Sequence, residues 1–102
     1  MYYVYFLVHR EMGRPWYLKI GHCKNIKSRF SSYNSGYYQE ATLLTSIEVG
    51  TKSLSCEIER GYIRILDHVS GGRSKFRREW FELDNEIVDQ LKKWGMKIEK
   101  PL

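Results

Sequence analysis

The chain has 102 residues, of which 42% are hydrophobic and 15% aromatic, and this composition is typical of one folded domain. It excludes a disulfide framework, since Cys23 and Cys56 are the only cysteines, and no apolar run approaches the roughly 20 residues that cross a bilayer. The 17 Lys and Arg against 12 Asp and Glu give a net charge of +5, which suits polyanion binding and ordinary solubility alike. No signal-peptide layout is recognised, so we expect a soluble intracellular protein, cytoplasmic or, in a eukaryote, nuclear.

The first twenty-one residues predict a β-hairpin. Residues 2–9 (YYVYFLVH) are almost wholly β-branched or aromatic, which indicates a strand buried on both faces. Residues 10–15 are turn-forming, and residues 16–20 predict a second strand that ends at Gly21.

The second predicted strand carries a lysine beside its terminal glycine. A charge buried without a partner is costly, so Lys19 either reaches solvent or serves a role that needs an amine. Strand alternation also predicts which side chains share a face. The expected sets are Tyr3, Tyr5 and Leu7 on the first strand, and Tyr17, Lys19 and Gly21 on the second.

The rest of the chain alternates helical and extended patterns. The expected order is helix 24–34, a strand within 41–49, helix 52–68, loop 69–79, an extended piece at 80–83 and helix 86–94. Thr51 or Ser53 is expected to cap the second helix and Asp84 the last. The expected inward-facing side chains are Ile26, Phe30 and Tyr33, then Leu54, Ile58, Tyr62 and Ile65 or Leu66, and finally Ile87, Leu91 and Trp94. The order ββαβαβα predicts a small α/β layer fold, a single domain over residues 1–102.

Several motifs occur together in a recognisable order. They are Val4-Tyr5, Lys19-Ile20-Gly21, Arg29, a glutamate of the second predicted helix and Glu79-Trp80-Phe81. In this series the chain resembles the GIY-YIG nuclease superfamily, and more closely the branch whose second motif reads K-I-G and which ends in E-W-F. The resemblance covers about residues 3–83. It implies an antiparallel three-stranded sheet flanked by helices, and the predicted C-terminal helix at about 84–95 follows it.

The chain departs from the family pattern at three positions. Tyr3 stands where the first motif has glycine, Lys19 where the second has tyrosine, and Cys23 where this branch usually has threonine. The first exchange is expected to be structural, because the tyrosine is the catalytic member of that motif. The Lys19 exchange affects the chemistry directly.

Two glutamates of the second predicted helix compete for the family's glutamate position. The family pattern places an apolar residue just before the glutamate and core positions three, four and seven residues after it. Glu59 gives apolar residues at all of these positions, whereas Glu57 gives two arginines and a glycine. Glu59 is therefore the preferred candidate, with Glu57 in reserve.

The resemblance implies hydrolysis of a DNA phosphodiester bond with one divalent metal ion, Mg²⁺ or Mn²⁺. Glu59 would hold the metal, and Arg29 would hold the scissile phosphate with its planar guanidinium. Lys19, alone or with Tyr5, would orient and deprotonate the attacking water. His22 is adjacent and is a candidate to assist, although we expect it to anchor backbone or to be solvated.

A basic surface is expected to contact the DNA backbone. Its residues are Arg73, Lys75, Arg77 and Arg78 of the predicted loop, extended by Lys24 and Lys27. RNA is a further candidate substrate. Without an appended recognition domain, the unit is expected to recognise DNA structure, to act with little specificity, or to rely on a protein partner or dimer. Two other functions stay open: a non-catalytic nucleic-acid-binding module with the same fold, and a protein-interaction adaptor.

Overall fold

The structure, a computed structural model, describes residues 1–10, 16–36, 40–72, 75–77 and 80–98. Of residues 10, 32–36, 40 and 75–77 it describes the backbone alone, and the predicted turn at residues 11–15 lies outside the described residues. The elements are, in order, β1 (Tyr2–Arg10), β2 (Tyr17–Cys23), α1 (Ile26–Gly36), β3 (Glu40–Val49), α2 (Lys52–Ser70), β4 (Lys75–Arg77), β5 (Trp80–Glu82) and α3 (Asn85–Lys93).

The strands form one antiparallel sheet in the order β3-β1-β2-β5-β4. The predicted fold class, an α/β domain with an antiparallel sheet, flanking helices and a C-terminal helix, is confirmed. The expected number of three strands is too small, because β4 and β5 add a short hairpin to the outer side of β2. Strands of three residues are too short for alternation to separate them from a loop.

Strand β1 is buried on both faces, as predicted. Its side chains at residues 4–8 are at most 2% exposed. Val4, Phe6 and Val8 belong to the larger apolar cluster, with residues of α2 and α3, while Tyr5 and Leu7 belong to a second cluster with α1. Helices α2 and α3 therefore cover one face of the sheet and α1 covers the other.

Strand β2 does not end at Gly21 but continues to Cys23. Gly21 is buried and pairs with Tyr5 of β1, and the Tyr5 ring lies over its Cα. A Cβ added at Gly21 would come within 2.5 Å of Tyr5 Cζ. The glycine is thus required for close packing between neighbouring strands, and it does not terminate the strand.

Helix α2 begins at the predicted cap. The Thr51 hydroxyl accepts a hydrogen bond from the Leu54 amide at 3.1 Å. The helix runs two residues further than predicted and ends at Gly71, whose φ of +64° is the left-handed conformation that favours glycine.

The face of α2 that packs against the sheet contains polar residues, whereas the apolar spacing predicted hydrophobic ones. Its buried members are Ser55, Glu59, Leu66 and Ser70. Leu66, not Ile65, faces the core, and Leu54 is 46% exposed, contrary to expectation. Ser55 can be buried because its hydroxyl donates to the Lys52 carbonyl at 2.7 Å.

Helix α3 has the predicted cap and core face. The Asp84 carboxylate accepts a hydrogen bond from the Ile87 amide at 2.9 Å. Ile87 and Leu91 are fully buried, and the Trp94 ring packs edge-on against Tyr62 at a centroid distance of 4.9 Å. This places α3 beside α2 on the same face of the sheet.

Candidate active site

A cavity of about 750 Å³ opens between α2 and the end of β2. The described residues that line it are His22, Cys56, Glu57, Glu59, Arg60, Ile63 and Arg64. All but His22 come from successive turns of α2, so this helix forms one wall of the cavity and the last residues of β2 form the other. The cavity therefore contains both glutamates considered for the family position.

Helix α2 places the two glutamates differently. Glu59 is 5% exposed and faces the sheet, whereas Glu57 is exposed on the outer side of the cavity. A buried carboxylate is costly unless it is hydrogen-bonded. Glu59 has such a partner, because its Oε2 is bonded to Nδ1 of His22.

His22 contacts two functional groups of α2. Its Nδ1 bonds Glu59, and its Nε2 lies 3.5 Å from the Sγ of Cys56. The expectation that His22 anchors backbone or is solvated is therefore wrong. Alternation could have indicated this, because residue 22 faces the side of the sheet opposite Lys19, where α2 lies.

Tyr5 reaches the same end of β2 from the opposite face of the sheet. Its side chain is buried beside Leu7 and Cys23, over Gly21. Tyr5 and His22 thus flank Gly21 on the two faces of the sheet, and the hydroxyl end of the tyrosine lies over the strand that carries His22.

Lys19 shares the face of Tyr5, as alternation predicted, because it pairs with Leu7 of β1. It is half-buried, and its Nζ lies 5.4 Å from the ring centroid of Trp80. A cation over an aromatic ring is stabilised by the ring quadrupole. The lysine inside the apolar strand therefore lies against an aromatic surface.

The Lys19 charge also affects its neighbour His9. His9 is buried against Trp80, with ring centroids 4.8 Å apart. Burial, and secondarily the positive charge of Lys19, lower the pKa of His9. This side of the sheet therefore favours a neutral imidazole at position 9.

Arg29 is exposed on the first turns of α1, where Asn25 caps the helix by accepting from the Ser28 amide at 3.0 Å. Burial raises the pKa of the Cys23 thiol, and the Arg29 charge acts in the opposite direction. Arg29 therefore lies near the end of β2 on the α1 face, and it is not among the residues that line the cavity.

The predicted DNA-contacting residues are distributed over two regions. Lys24 and Lys27 are exposed around the start of α1. The backbone of Lys75 and Arg77 lies in β4, at one edge of the sheet. Arg73 and Arg78 lie outside the described residues.

The cavity fits a metal held by few protein ligands. Within the described ranges, no group of three or more His, Cys, Asp and Glu side chains could hold a metal ion. Mg²⁺ does not require one, since it is commonly bound by one or two carboxylates with water and substrate phosphate completing the octahedron. A buried carboxylate at the wall of an open cavity suits that mode of binding.

The fold is that of a small α/β domain with an antiparallel sheet and a C-terminal helix. The chain belongs to the T5orf172 domain family, whose model matches residues 2–96. This phage-associated family is linked to nucleases and to action on nucleic acids. No curated protein and no solved structure matches the chain significantly. In the described part of the chain, no helix has the length and apolar character needed to cross a membrane.

Proposed function

We propose that the protein is a metal-dependent DNA endonuclease of the GIY-YIG type, from the branch with a K-I-G second motif. The observation that carries this proposal is the buried Glu59 carboxylate at the cavity wall, bonded to the histidine that directly follows Lys19-Ile20-Gly21. The glutamate favoured by the helix pattern thus contacts the residue that directly follows the second motif.

Glu59 is the proposed ligand of Mg²⁺ or Mn²⁺, and the bound ion would stabilise the charge that develops on the phosphate. His22 fixes the orientation of the carboxylate through Nδ1. A carboxylate held in this way loses little conformational freedom when it binds, which favours a preorganised site.

Tyr5, Lys19 and Arg29 would act from the other face, around the edge of β2. Among the described residues, β5 pairs with β2 only at residues 17–19, so the sheet pairing stops before Gly21. A phosphate at this edge could contact groups from both faces. Arg29 would hold it, and Tyr5 with Lys19 would orient and deprotonate the attacking water.

The test of this proposal is cleavage of supercoiled plasmid and labelled branched DNA, with Mg²⁺, Mn²⁺ or EDTA. Glu59→Gln should abolish metal-dependent cutting, because the amide retains the shape but not the charge. Glu57→Gln is the matched control on the same helix and should cut like the wild type. Cutting that survives in Glu59→Gln and disappears in Glu57→Gln would assign the metal to Glu57.

The role of Lys19 needs a separate test, because its position over Trp80 also stabilises the fold. Lys19→Met keeps an apolar stem against the ring and removes the amine. If Lys19 orients and deprotonates the attacking water, this variant should lose DNA cleavage at neutral pH. It should still bind DNA, and its melting temperature should stay near that of the wild type. Full cutting by Lys19→Met would exclude the role.

A second candidate is a nucleic-acid-binding module without catalysis. The observation in its favour is that the sheet separates Tyr5 and Lys19 from Glu59. This alternative predicts salt-sensitive DNA binding by the wild type and no cutting with any divalent ion.

A further inference from the structure

We infer that Arg60 and Arg64 form a phosphate-binding subsite for the nucleic-acid backbone next to Glu59. The inference rests on the proposed function for the identity of the substrate. It adds a binding surface on α2, distinct from the basic residues of α1 and of the segment around β4.

A phosphate in the cavity would need positive charge nearby. The predicted phosphate ligand, Arg29, does not provide it there. Arg29 lies on α1, across the sheet from α2, and Lys19 lies against Trp80 on that same face. Among the described residues that line the cavity, Arg60 and Arg64 are the lysine or arginine side chains. A phosphate that approached Glu59 through this cavity would pass both guanidiniums.

The spacing of the two arginines along α2 is similar to the spacing of phosphates along a DNA strand. Residues four apart on a helix lie on one face, about 6 Å apart along the axis. One DNA strand carries a phosphate for about every 3.4 Å of duplex axis, so the two guanidiniums match phosphates one or two nucleotides apart. Both arginines are exposed and Ile63 lies between them along the cavity wall.

Two acidic residues at helical spacing could compete for these arginines. Glu57 lies three residues before Arg60, and Asp67 lies three residues after Arg64 on α2. Exposed pairs on one helix are weak and are screened by salt, whereas a bidentate arginine–phosphate contact is charge-assisted and geometrically specific. The phosphate should therefore displace such a pairing.

The experiment is fluorescence anisotropy of a short labelled DNA duplex in EDTA, which separates binding from metal-dependent cutting. Arg60→Gln/Arg64→Gln should bind at least about tenfold more weakly, and the slope of log K against log salt should fall by about two, one per phosphate contact. Lys52→Gln is the control, because Lys52 is an exposed cation of the same helix that does not line the cavity. It should leave affinity and slope near the wild-type values.

The outcomes separate this inference from the nuclease proposal. If the wild type cuts DNA and the double arginine variant binds as Lys52→Gln does, the subsite is wrong and the nuclease stands. If the wild type never cuts but the double variant alone loses binding, the subsite stands and catalysis fails. Melting curves of both variants check that the exposed substitutions leave the fold intact.

Discussion

The Tyr5 side chain occupies the space that a side chain at Gly21 would need. In Gly21→Ala the new Cβ would lie 2.5 Å from Tyr5 Cζ, and the tyrosine has little room because it is 2% exposed. Overpacking of this kind costs about 1–3 kcal/mol. We expect urea unfolding of Gly21→Ala to show a loss of stability in that range.

Gly61→Ala provides the control for this prediction. An added Cβ at Gly61 meets no atom within 4 Å, and alanine in a helix interior is favoured over glycine by about 0.5–1 kcal/mol. Gly61→Ala should therefore be neutral or stabilising. Shortening the tyrosine in Tyr5→Leu/Gly21→Ala should recover part of the loss, and strictly additive effects would contradict the contact.

His9 predicts a pH dependence of stability. Its pKa is lowered in the folded protein, so the unfolded chain binds the proton more tightly. This contribution to stability is present above the unfolded pKa of about 6.5 and is lost as pH falls toward the folded pKa. The free energy of unfolding should therefore decrease between about pH 7 and pH 5, measured by urea titration.

His9→Phe is the matching variant, because it keeps a ring against Trp80 and removes the titrating group. Its stability should fall less than that of the wild type over the same pH interval. An equal fall in both proteins would show that His9 is not the source.

Helical periodicity predicts burial at the residue scale, whereas side-chain partners depend on tertiary contacts. The family's spacing of core positions favours Glu59 over Glu57, and the structure buries Glu59 and leaves Glu57 exposed. The metal role of Glu59 stays a prediction. Alternation gives the face of His22 but not its partner, because the bond to Glu59 joins residues 37 apart in sequence.

At the scale of elements, α2 provides most of the residues that line the cavity, and the stability of this helix depends on its N-terminal cap. Thr51→Ala removes the hydroxyl that accepts from the Leu54 amide and should reduce stability by about 1 kcal/mol. Thr51→Ser keeps the acceptor and should retain most of the wild-type stability in the same thermal or urea titration. Equal losses in the two variants would mean that the methyl group, not the cap, is responsible.

The limits of sequence interpretation are clearest in β2 and α2. The sequence pattern predicts that the strand stops at Gly21, because it does not show that a ring from the neighbouring strand occupies the side-chain position of this glycine. The buried residues of α2 include two serines and a glutamate. A prediction from hydrophobicity alone therefore selects Leu54 for the core, although it is exposed. Caps at Thr51 and Asp84 were predictable because they are local.

At the scale of the whole molecule, basic residues are expected to contact DNA from several elements. Charge reversal in Arg77→Glu/Arg78→Glu should weaken DNA binding broadly, whatever the sequence of the duplex, because phosphate contacts carry no sequence information. It should also flatten the salt dependence of binding. Anisotropy titrations at several salt concentrations measure both effects, and an unchanged slope would count against this surface.

Strand β1 lies inside the sheet, paired on both sides and covered on both faces. Because both neighbours of β1 in the sheet are strands, opening of a helix or of β4 and β5 would leave its backbone hydrogen bonds in place. In native-state hydrogen exchange the amides of residues 4–8 should therefore be the slowest, with protection that equals the global free energy of unfolding. These few amides would report the stability of every variant above without any denaturant.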